Sequence, residues 1–248
     1  MDSQEYDNLE RVEATHWYYA AKRAFVRDWI LRTQPPAADD ELLDCGAGTG
    51  RFALEMQAYC RTRVLDDHEE SLSRLRLRFP ADRVHALEGG RIPLVDGAVR
   101  YLTALDVLEH IADDASAVAE FARVLAPGGL CVATVPADPA LWSDWDVHLH
   151  HHRRYRRPQL RQLFSGPAWE ILHVNYTNVL AYPAVRAVRA WRRRFPAAAG
   201  AARAEDRIPS APVNALLRES FRALAMSRLP FPFGVSLLLV ARRTAAPA

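Results

Sequence analysis

The sequence contains few cysteines and no paired cysteine motif. Its three cysteines, Cys45, Cys60 and Cys131, form no C-x-x-C pair, and their number is odd. This argues against a disulfide framework and predicts reduced thiols in a cytosolic protein.

Signals for export or membrane insertion are also missing. The first residues, MDSQEYDNLERVEATHW, are acidic and polar, unlike a secretory signal. No stretch reaches the about 18 uninterrupted apolar residues that a membrane span needs. We therefore expect a soluble, cytoplasmic protein.

Lysine is almost absent, since Lys22 is the only one and every other basic residue is arginine. With the abundant alanine and proline, this bias is typical of a GC-rich bacterial genome. The formal net charge is only +2, too small to indicate nucleic acid as the main partner. Half of the 248 residues are hydrophobic, which suits one large α/β domain with or without an insertion.

Strand and helix signals alternate from residue 42 to residue 135. The predicted strands are 42–45, 62–66, 84–87, 101–105 and 130–135. The predicted helices are 51–59, 69–79 and one from Asp113 or Asp114 to Leu125, ended by Pro127-Gly128-Gly129. This alternation predicts right-handed βαβ units in a doubly wound sheet, with ligands at the carboxyl ends of its strands.

The flanking segments complete a seven-stranded, doubly wound α/β fold. Residues 3–32 have helical spacing, 137–157 are a polar loop, and 158–164 a helix; 169–176 and 235–241 are the last strands. We expect a helical lid at 1–36 and a cofactor-binding domain at 37–176 and 233–248. The segment 177–232 is predicted as a helical insert, two helices around an Ala/Gly-rich link, that caps the acceptor site.

A glycine loop follows the first predicted strand. An NAD-type fingerprint would need Gly or Ala where Arg51 stands, and the Walker pattern is absent. The pattern is instead G-x-G-x-G after an acidic strand end, which suits a nucleoside without a pyrophosphate; the alternative is an ordinary glycine-rich turn. The loop reads Asp44-Cys45-Gly46-Ala47-Gly48-Thr49-Gly50.

Two further strands end in acidic residues. Asp66 and Asp67 end the second strand, where a carboxylate can accept both ribose hydroxyls. Glu88, followed by Gly89, ends the third strand and could accept a hydrogen bond from an adenine amine. The alternative for Glu88 is a solvated loop residue.

Five segments resemble the motifs of class I S-adenosylmethionine-dependent methyltransferases, in particular the ubiquinone- and menaquinone-biosynthesis type. They are LLDCGAGTGRF, VLDDHEESL, LEGGRIPLVDGAV, LDVLEHI and LAPGGL. The resemblance covers about residues 40–136. It implies S-adenosylmethionine as cofactor and S-adenosylhomocysteine as product, and it puts Asp66 rather than Asp67 on the ribose, because Leu72 then takes the expected helix position. It departs from the family at Leu87-Glu88-Gly89 and Val99-Arg100. The residues implied to border the cofactor are Asp44, Gly46, Ala47, Gly48, Gly50, Asp66, Asp67, Glu88, Gly89, Leu105, Asp106, Tyr18 and Arg23.

The predicted lid also contributes side chains to the cofactor site. They belong to the segments His16-Trp17-Tyr18-Tyr19 and Lys22-Arg23. By the same resemblance, these aromatics shield the sulfonium and the arginine pairs with the methionine carboxylate. An ordinary amphipathic helix would have much the same sequence, so that interpretation stays open.

Two histidines are candidates for a general base, His151 first and His110 second. His110 follows the fourth strand in a loop without an N/D-P-P-Y/F motif, which argues against methylation of exocyclic amines or glutamine side chains. The segment from Asp146 to Tyr155 resembles one that borders the acceptor pocket in related bacterial enzymes. The alternatives are a histidine bonded to the loop backbone and an arginine-rich loop that packs on the insert. The histidines from His148 to His152 lack regular metal-ligand spacing, so we predict no metal.

The predicted function is methyl transfer to a small-molecule or lipid-like acceptor, on O, N or C. One alternative is a cofactor-binding protein that does not methylate, either a regulatory partner or a cyclase-like catalyst. Another is an RNA or protein methyltransferase, disfavoured by the low net charge. The insert offers a possible peripheral membrane contact, because Leu180, Val185, Val188 and Trp191 share one helix face and Arg192-Arg193-Arg194 ends the helix. The other interpretation of that helix is a cover for the sheet or for a second copy.

Overall fold

The computed structural model describes residues 3–195 and 208–244, and side chains from Tyr6 onward. Within these residues, seven strands form one sheet. The strands are β1 (Glu41–Cys45), β2 (Arg61–Asp66), β3 (Val84–Ala86), β4 (Val99–Leu105), β5 (Leu125–Pro136), β6 (Trp169–Thr177) and β7 (Ser236–Arg243).

The strand order is β3-β2-β1-β4-β5-β7-β6. The first five strands are parallel, and β7 runs antiparallel to both of its neighbours. The order reverses between β1 and β4, and in open α/β sheets ligands bind in the crevice at that point. The glycine loop and the loop after β4 both start there.

Helices cover both faces of the sheet. They are α1 (Ser3–Glu13), α2 (Trp17–Thr33), α3 (Arg51–Met56), α4 (Glu69–Arg78), α5 (Asp114–Val124), α6 (Asp144–His148), α7 (Arg157–Leu163), α8 (Tyr182–Arg194) and α9 (Ala211–Ala225). Phe121 of α5 and Phe164 pack in the core of one face. Phe25 of α2, Phe52 of α3 and Phe221 of α9 pack in the core of the other. The predicted Rossmann-like, doubly wound fold with seven strands is thus confirmed.

Strand β5 is longer than its predicted span of 130–135. It begins at Leu125, which pairs with Val99, and the pairing resumes with Leu130 opposite Tyr101. The Pro127-Gly128-Gly129 turn that was expected to precede the strand therefore lies inside it as an irregularity. A local turn signal does not show that the chain on both sides of it pairs with the same neighbour.

The polar segment 137–157 is not simply a loop, because it contains α6. Ser143 caps this helix, since Asp146 accepts hydrogen bonds from both the Ser143 amide and its hydroxyl, at 2.9 and 3.1 Å. The short helix holds Asp146 completely buried. Sequence periodicity cannot reveal a helix of five residues.

The second helix of the insert packs on the lid. The Trp29 indole of α2 donates to the Ala225 carbonyl at 2.9 Å, and the Trp17 amide donates to Asn214 Oδ1 at 2.9 Å. Tyr18 stacks on Phe221 with ring centroids 5.8 Å apart. The lid and α9 therefore form one layer. The Ala/Gly-rich link falls within residues 196–207, outside the described residues.

Helix α8 does not cover the sheet with its apolar face. Its Tyr182 hydroxyl donates to Asp138 at 2.6 Å, and Arg193 donates to the Ala140 carbonyl at 2.8 Å. Arg189 is buried, whereas Val188 and Trp191 are 49% and 66% exposed. The helix thus buries Arg189 against the protein and leaves Val188 and Trp191 facing outward. Across the described ranges, no helix combines the length and hydropathy needed to cross a bilayer.

Candidate active site

The glycine loop after β1 adopts a backbone that needs glycine. Gly46 has φ +64°, and a Cβ there would lie 2.5 Å from a methyl carbon of Val107. Gly50 has φ +78°, and its Cβ would lie 2.6 Å from the Phe79 ring. A Cβ on Gly48 would meet no atom within 4 Å, so there is open space beside the middle of the loop. Ala47 is fixed within the loop, because its amide donates to the Leu65 carbonyl at 3.1 Å.

The carboxylate of Asp66 holds this loop to β2. One oxygen accepts from the Gly48 amide at 3.0 Å and from the Ser71 hydroxyl at 2.8 Å. The other accepts from the amides of Asp67 and His68 at 3.0 and 3.1 Å. Asp66 is 7% exposed, while Asp67 is exposed. A ribose hydroxyl at Asp66 would have to share a carboxylate that the chain already uses.

Asp44 lies beside Asp66 at the end of β1. It is 3% exposed, and Thr103 of β4 donates to it at 2.7 Å. Burial raises the pKa of Asp44 to about 7, the nearby Asp66 carboxylate adds to this rise, and the Thr103 hydrogen bond opposes it. A cation bound near this carboxylate would favour its ionised form.

The predicted adenine contacts lie in a tight turn after β3. Gly89 and Gly90 both have positive φ, and Glu88 and Arg91 exchange backbone hydrogen bonds across them. Glu88 is exposed at this turn. The turn is held near Asp66 because the Leu87 amide donates to the Asp66 carbonyl at 3.0 Å.

The lid reaches the sheet through a buried ion pair between Lys22 and Asp106. Asp106 directly follows Leu105, which is the half-buried last residue of β4. The backbone of Asp106 has φ +56°. Its carboxylate accepts hydrogen bonds from the Lys22 ammonium and, at 2.9 Å, from the Thr134 hydroxyl. Burial alone would raise the pKa of Asp106, but the Lys22 ammonium and these hydrogen bonds hold it below its usual range. The Tyr18 ring lies 4.4 Å from the Lys22 ammonium. Lys22 therefore brings the N-terminal helix α2 to the end of β4.

Arg23 points away from that ion pair, toward α1 and α3. Its guanidinium donates to Glu55 at 2.9 Å and to the Glu13 carbonyl at 2.7 Å. The Glu13 side chain in turn accepts from the Thr49 hydroxyl of the glycine loop at 2.6 Å. The buried Arg23 thus fastens the lid to the glycine loop, and its pairing with a cofactor carboxylate stays a prediction.

The two candidate bases meet, although they come from different loops. His110 and His151 lie edge to face with ring centroids 4.6 Å apart. His151 Nδ1 lies 3.0 Å from the buried Asp146, which also accepts from Arg154 at 2.7 Å. A proton on Nδ1 is favoured by this carboxylate, so Nε2 carries the lone pair. Burial raises the pKa of Asp146, but His151 and Arg154 outweigh this and lower it to about 2.

Glu109 lies beside these histidines with one oxygen that has no hydrogen-bonding partner among the described residues. It is 1% exposed, and burial followed by the Asp106 charge raises its pKa well above the usual range. Loss of hydration and the neighbouring His151 lower the pKa of His110 to about 4, even though part of its ring is exposed. One ligand atom from each of Glu109, His110 and His151 lies within 4.8 Å of the other two.

The structure therefore gathers the predicted residues in two groups. Asp44, the glycine loop and Asp66 form one, and Asp106, His110 and His151 form the other. Sequence reasoning gave no role to Glu13, Ser71 or Glu109, and it named Lys22 and Asp146 only as members of longer segments. Lys22 carried one signal, as the only lysine in the chain. The others are buried polar residues, and burial is decided by tertiary contacts.

Comparison with known proteins finds similarity to methyltransferases. Residues 43–133 match the family model described as a methyltransferase domain. A probable S-adenosylmethionine-dependent methyltransferase of Mycolicibacterium smegmatis is 28% identical over 138 residues, covering 54% of this chain and 53% of that protein. The demethylmenaquinone methyltransferase of Clavibacter sepedonicus is 28% identical over 195 residues, covering 75% of this chain and 76% of that protein. The chain spans about half or less of the first curated relatives that it matches.

The fold is shared with solved structures. The geranyl diphosphate C-methyltransferase of Streptomyces coelicolor A3(2) superposes with a TM-score of 0.59 at 18% identity, covering 90% of this chain and 79% of that one. The chain is thus similar to S-adenosylmethionine-dependent methyltransferases, with a match to a methyltransferase domain over residues 43–133. The residues present suit that cofactor, because the loop leaves open space at Gly48 and the buried Asp44 offers a carboxylate for a cationic ligand.

We predict that the stability of the protein depends on pH through the protonation of Asp44. Because its pKa rises from 3.8 to about 7 on folding, the folded protein holds a proton there that the unfolded chain releases. This contribution is fully present below pH 4 and is lost as the pH rises through 7. As the pH rises from 4 to 7, the native protein should lose up to about 4 kcal/mol of unfolding free energy relative to Asp44→Asn, which has no carboxyl group to titrate there. Denaturant unfolding at several pH values measures the difference.

Thr103→Val is the matched control for this prediction. It removes the hydrogen bond that favours the ionised carboxylate and should extend the pH-dependent difference to higher pH. Equal pH dependence in the native protein and Asp44→Asn would contradict the assignment.

Proposed function

We propose that the chain is a methyltransferase of the ubiquinone- and menaquinone-biosynthesis type that methylates a small-molecule or lipid-like acceptor on O, N or C. The observation that supports this most is the glycine loop bonded to Asp66 beside the buried Asp44, within a methyltransferase domain. The similarity to a demethylmenaquinone methyltransferase, over three quarters of both chains, supports the subgroup and a lipid-like acceptor. The formal net charge of +2 gives no support to a nucleic-acid acceptor.

Each group of side chains has a separate task in this proposal. Bound S-adenosylmethionine supplies a methyl group made electrophilic by its sulfonium. The glycine loop, Asp44 and Asp66 bind and orient the nucleoside and the amino acid. The lid, held by the Lys22–Asp106 ion pair, excludes water from the carboxyl ends of β1 and β4. His151, oriented by Asp146, accepts a proton from the acceptor, and His110 lies beside it.

The insert is proposed to shape the acceptor site and to touch a membrane surface. Tyr18 of the lid stacks on Phe221 of α9, so the insert reaches the same layer that covers the cofactor site. On α8, exposed Val188 and Trp191 lie next to the cluster Arg192-Arg193-Arg194. An exposed apolar face beside arginines suits the interface of an anionic bilayer.

We predict that S-adenosylmethionine binds and that Asp66→Ala weakens binding about ten- to a hundredfold. Loss of charge-assisted hydrogen bonds to the ribose, together with the loop contacts of Asp66, accounts for the loss, worth about 1.5–3 kcal/mol. Asp67→Ala is the matched control and should lose much less. Calorimetry measures both affinities, and thermal unfolding checks the fold of each variant. No binding by the native protein, or a larger loss for Asp67→Ala, would overturn the assignment.

A second prediction separates chemistry from cofactor binding. His151→Ala should lower turnover by about 10²- to 10⁴-fold with a hydroxyl or protonated amine as acceptor, and cofactor affinity should change little. His110→Ala should behave similarly. The measurement is formation of S-adenosylhomocysteine with a panel of candidate acceptors. Cofactor binding without product from any acceptor would favour a protein that binds but does not methylate, and full activity of the double variant would exclude both histidines.

The membrane contact is tested by flotation with vesicles that contain anionic lipid. We expect the protein to float at low salt and to be released at high salt, because each arginine near an anionic surface contributes about 1 kcal/mol that salt screens. Trp191→Ala combined with Val188→Ala should reduce flotation, whereas Leu77→Ala, at an exposed position on α4, should not. Absence of flotation of the native protein at low salt would end this part of the proposal.

A further inference from the structure

The group formed by Glu109, His110 and His151 has the composition of a metal site. Two imidazoles and one carboxylate suit divalent first-row transition metals, and imidazole ligands make Mg²⁺ or Ca²⁺ less suitable. We propose that these three side chains bind one divalent transition-metal ion at the carboxyl end of β4. The sequence pattern predicted no metal, because Glu109 and His110 lie about 40 residues before His151 and the histidine-rich segment contributes only that one ligand.

The buried carboxylate of Glu109 is the first argument for this site. Glu109 is 1% exposed, and its Oε2 has no hydrogen-bonding partner among the described residues. A buried oxygen without a partner is costly, since it loses its hydration without a replacement. A metal ion bound to this oxygen would remove that cost.

The orientation of His151 is the second argument. A carboxylate that accepts the Nδ1 proton of a ligating histidine fixes the tautomer and directs the Nε2 lone pair to the metal. Asp146, completely buried, lies 3.0 Å from His151 Nδ1. Arg154 and the Ser143 amide hold Asp146 in turn, at 2.7 and 2.9 Å. The supporting shell of a metal site is therefore present around this ligand.

The distances and charges are also suitable. The three ligand atoms lie within 4.8 Å of one another, and a metal with bonds of about 2.1 Å would draw them to about 3 to 3.5 Å apart. Lys22 is paired with Asp106, and Arg154 with Asp146, so these two cations are neutralised. Neither of them therefore opposes a metal ion at this site.

Three protein ligands leave open coordination positions. In structural sites the protein fills all positions, whereas catalytic sites keep one for water or substrate. Together with the proposed methyl transfer, on which this step rests, the site favours an acceptor with a hydroxyl or phenol oxygen that binds the metal directly. A metal held by Glu109, His110 and His151 would lower the pKa of a bound hydroxyl, whose proton would pass to solvent water. In that case His151 would be a metal ligand instead of the base.

Metal binding can be measured without the methyl-transfer reaction. The full chain is treated with chelator, returned to chelator-free buffer and titrated with Co²⁺, followed by its visible absorption, and with Zn²⁺, followed by calorimetry. We expect one ion per chain for each metal. Glu109→Gln and His151→Ala should bind at least about a hundredfold more weakly.

Two control variants distinguish this site from the histidine-rich segment. His150→Ala and His152→Ala, both exposed, should bind like the native protein. If Glu109→Gln does not fold, His110→Ala, whose side chain is partly exposed, replaces it. Absence of saturable binding at millimolar metal would overturn the proposal. Unchanged affinity in Glu109→Gln, or loss of binding in His150→Ala, would also overturn it.

Calorimetric titration of the same preparations with S-adenosylmethionine keeps the two proposals apart. Metal binding without cofactor binding would leave the metal site intact and refute the proposed function. Cofactor binding without metal binding would refute the metal site and leave the proposed function standing.

Discussion

The buried ion pair between Lys22 and Asp106 determines how the candidate site is assembled. Asp106 follows the end of β4, at the reversal of strand order, and also accepts a hydrogen bond from the Thr134 hydroxyl of β5. Removal of Asp106 would leave the buried Lys22 ammonium unpaired, which is costly, whereas the half-buried Asp106 can still be hydrated in part. Without Lys22, Asp106 would lose the interaction that contributes most to lowering its pKa. The left-handed backbone of Asp106 is a further local cost that these contacts must outweigh.

Acidic residues accumulate at this edge because the carboxyl ends of β1, β2 and β4 meet there. Each carboxylate is balanced in a different way. Asp66 accepts hydrogen bonds from backbone amides and Ser71, Asp106 pairs with Lys22, and Asp44 is the one whose pKa burial raises to about 7. The edge thus combines carboxylates that the chain satisfies with others that favour a cationic ligand. This difference, rather than the number of acids, separates supporting residues from binding residues.

The parts of the fold that could be predicted depend on local patterns. Strand and helix alternation and the glycine loop follow from residue types at short spacing, and the prediction of seven strands is confirmed. The start of β5 at Leu125, the helix α6 and the outward apolar face of α8 depend on which segments become neighbours. The same reason explains why no local pattern singled out Glu109. Its carboxylate gains significance when His151, 42 positions away in the sequence, lies against it.

The packing of α9 on α2 links the two ends of the site. Trp29, Tyr18 and Trp17 of α2 all contact α9, and the same helix carries Lys22 to Asp106. A displacement of α2 large enough to admit a ligand at the end of β4 must therefore break the ion pair, move α9, or bend α2 between Tyr18 and Trp29. The first is costly, and a 17-residue helix without internal proline or glycine resists the last. Because α2 carries both Lys22 and the contacts with α9, a change in the packing of α9 is transmitted to the ion pair at the end of β4.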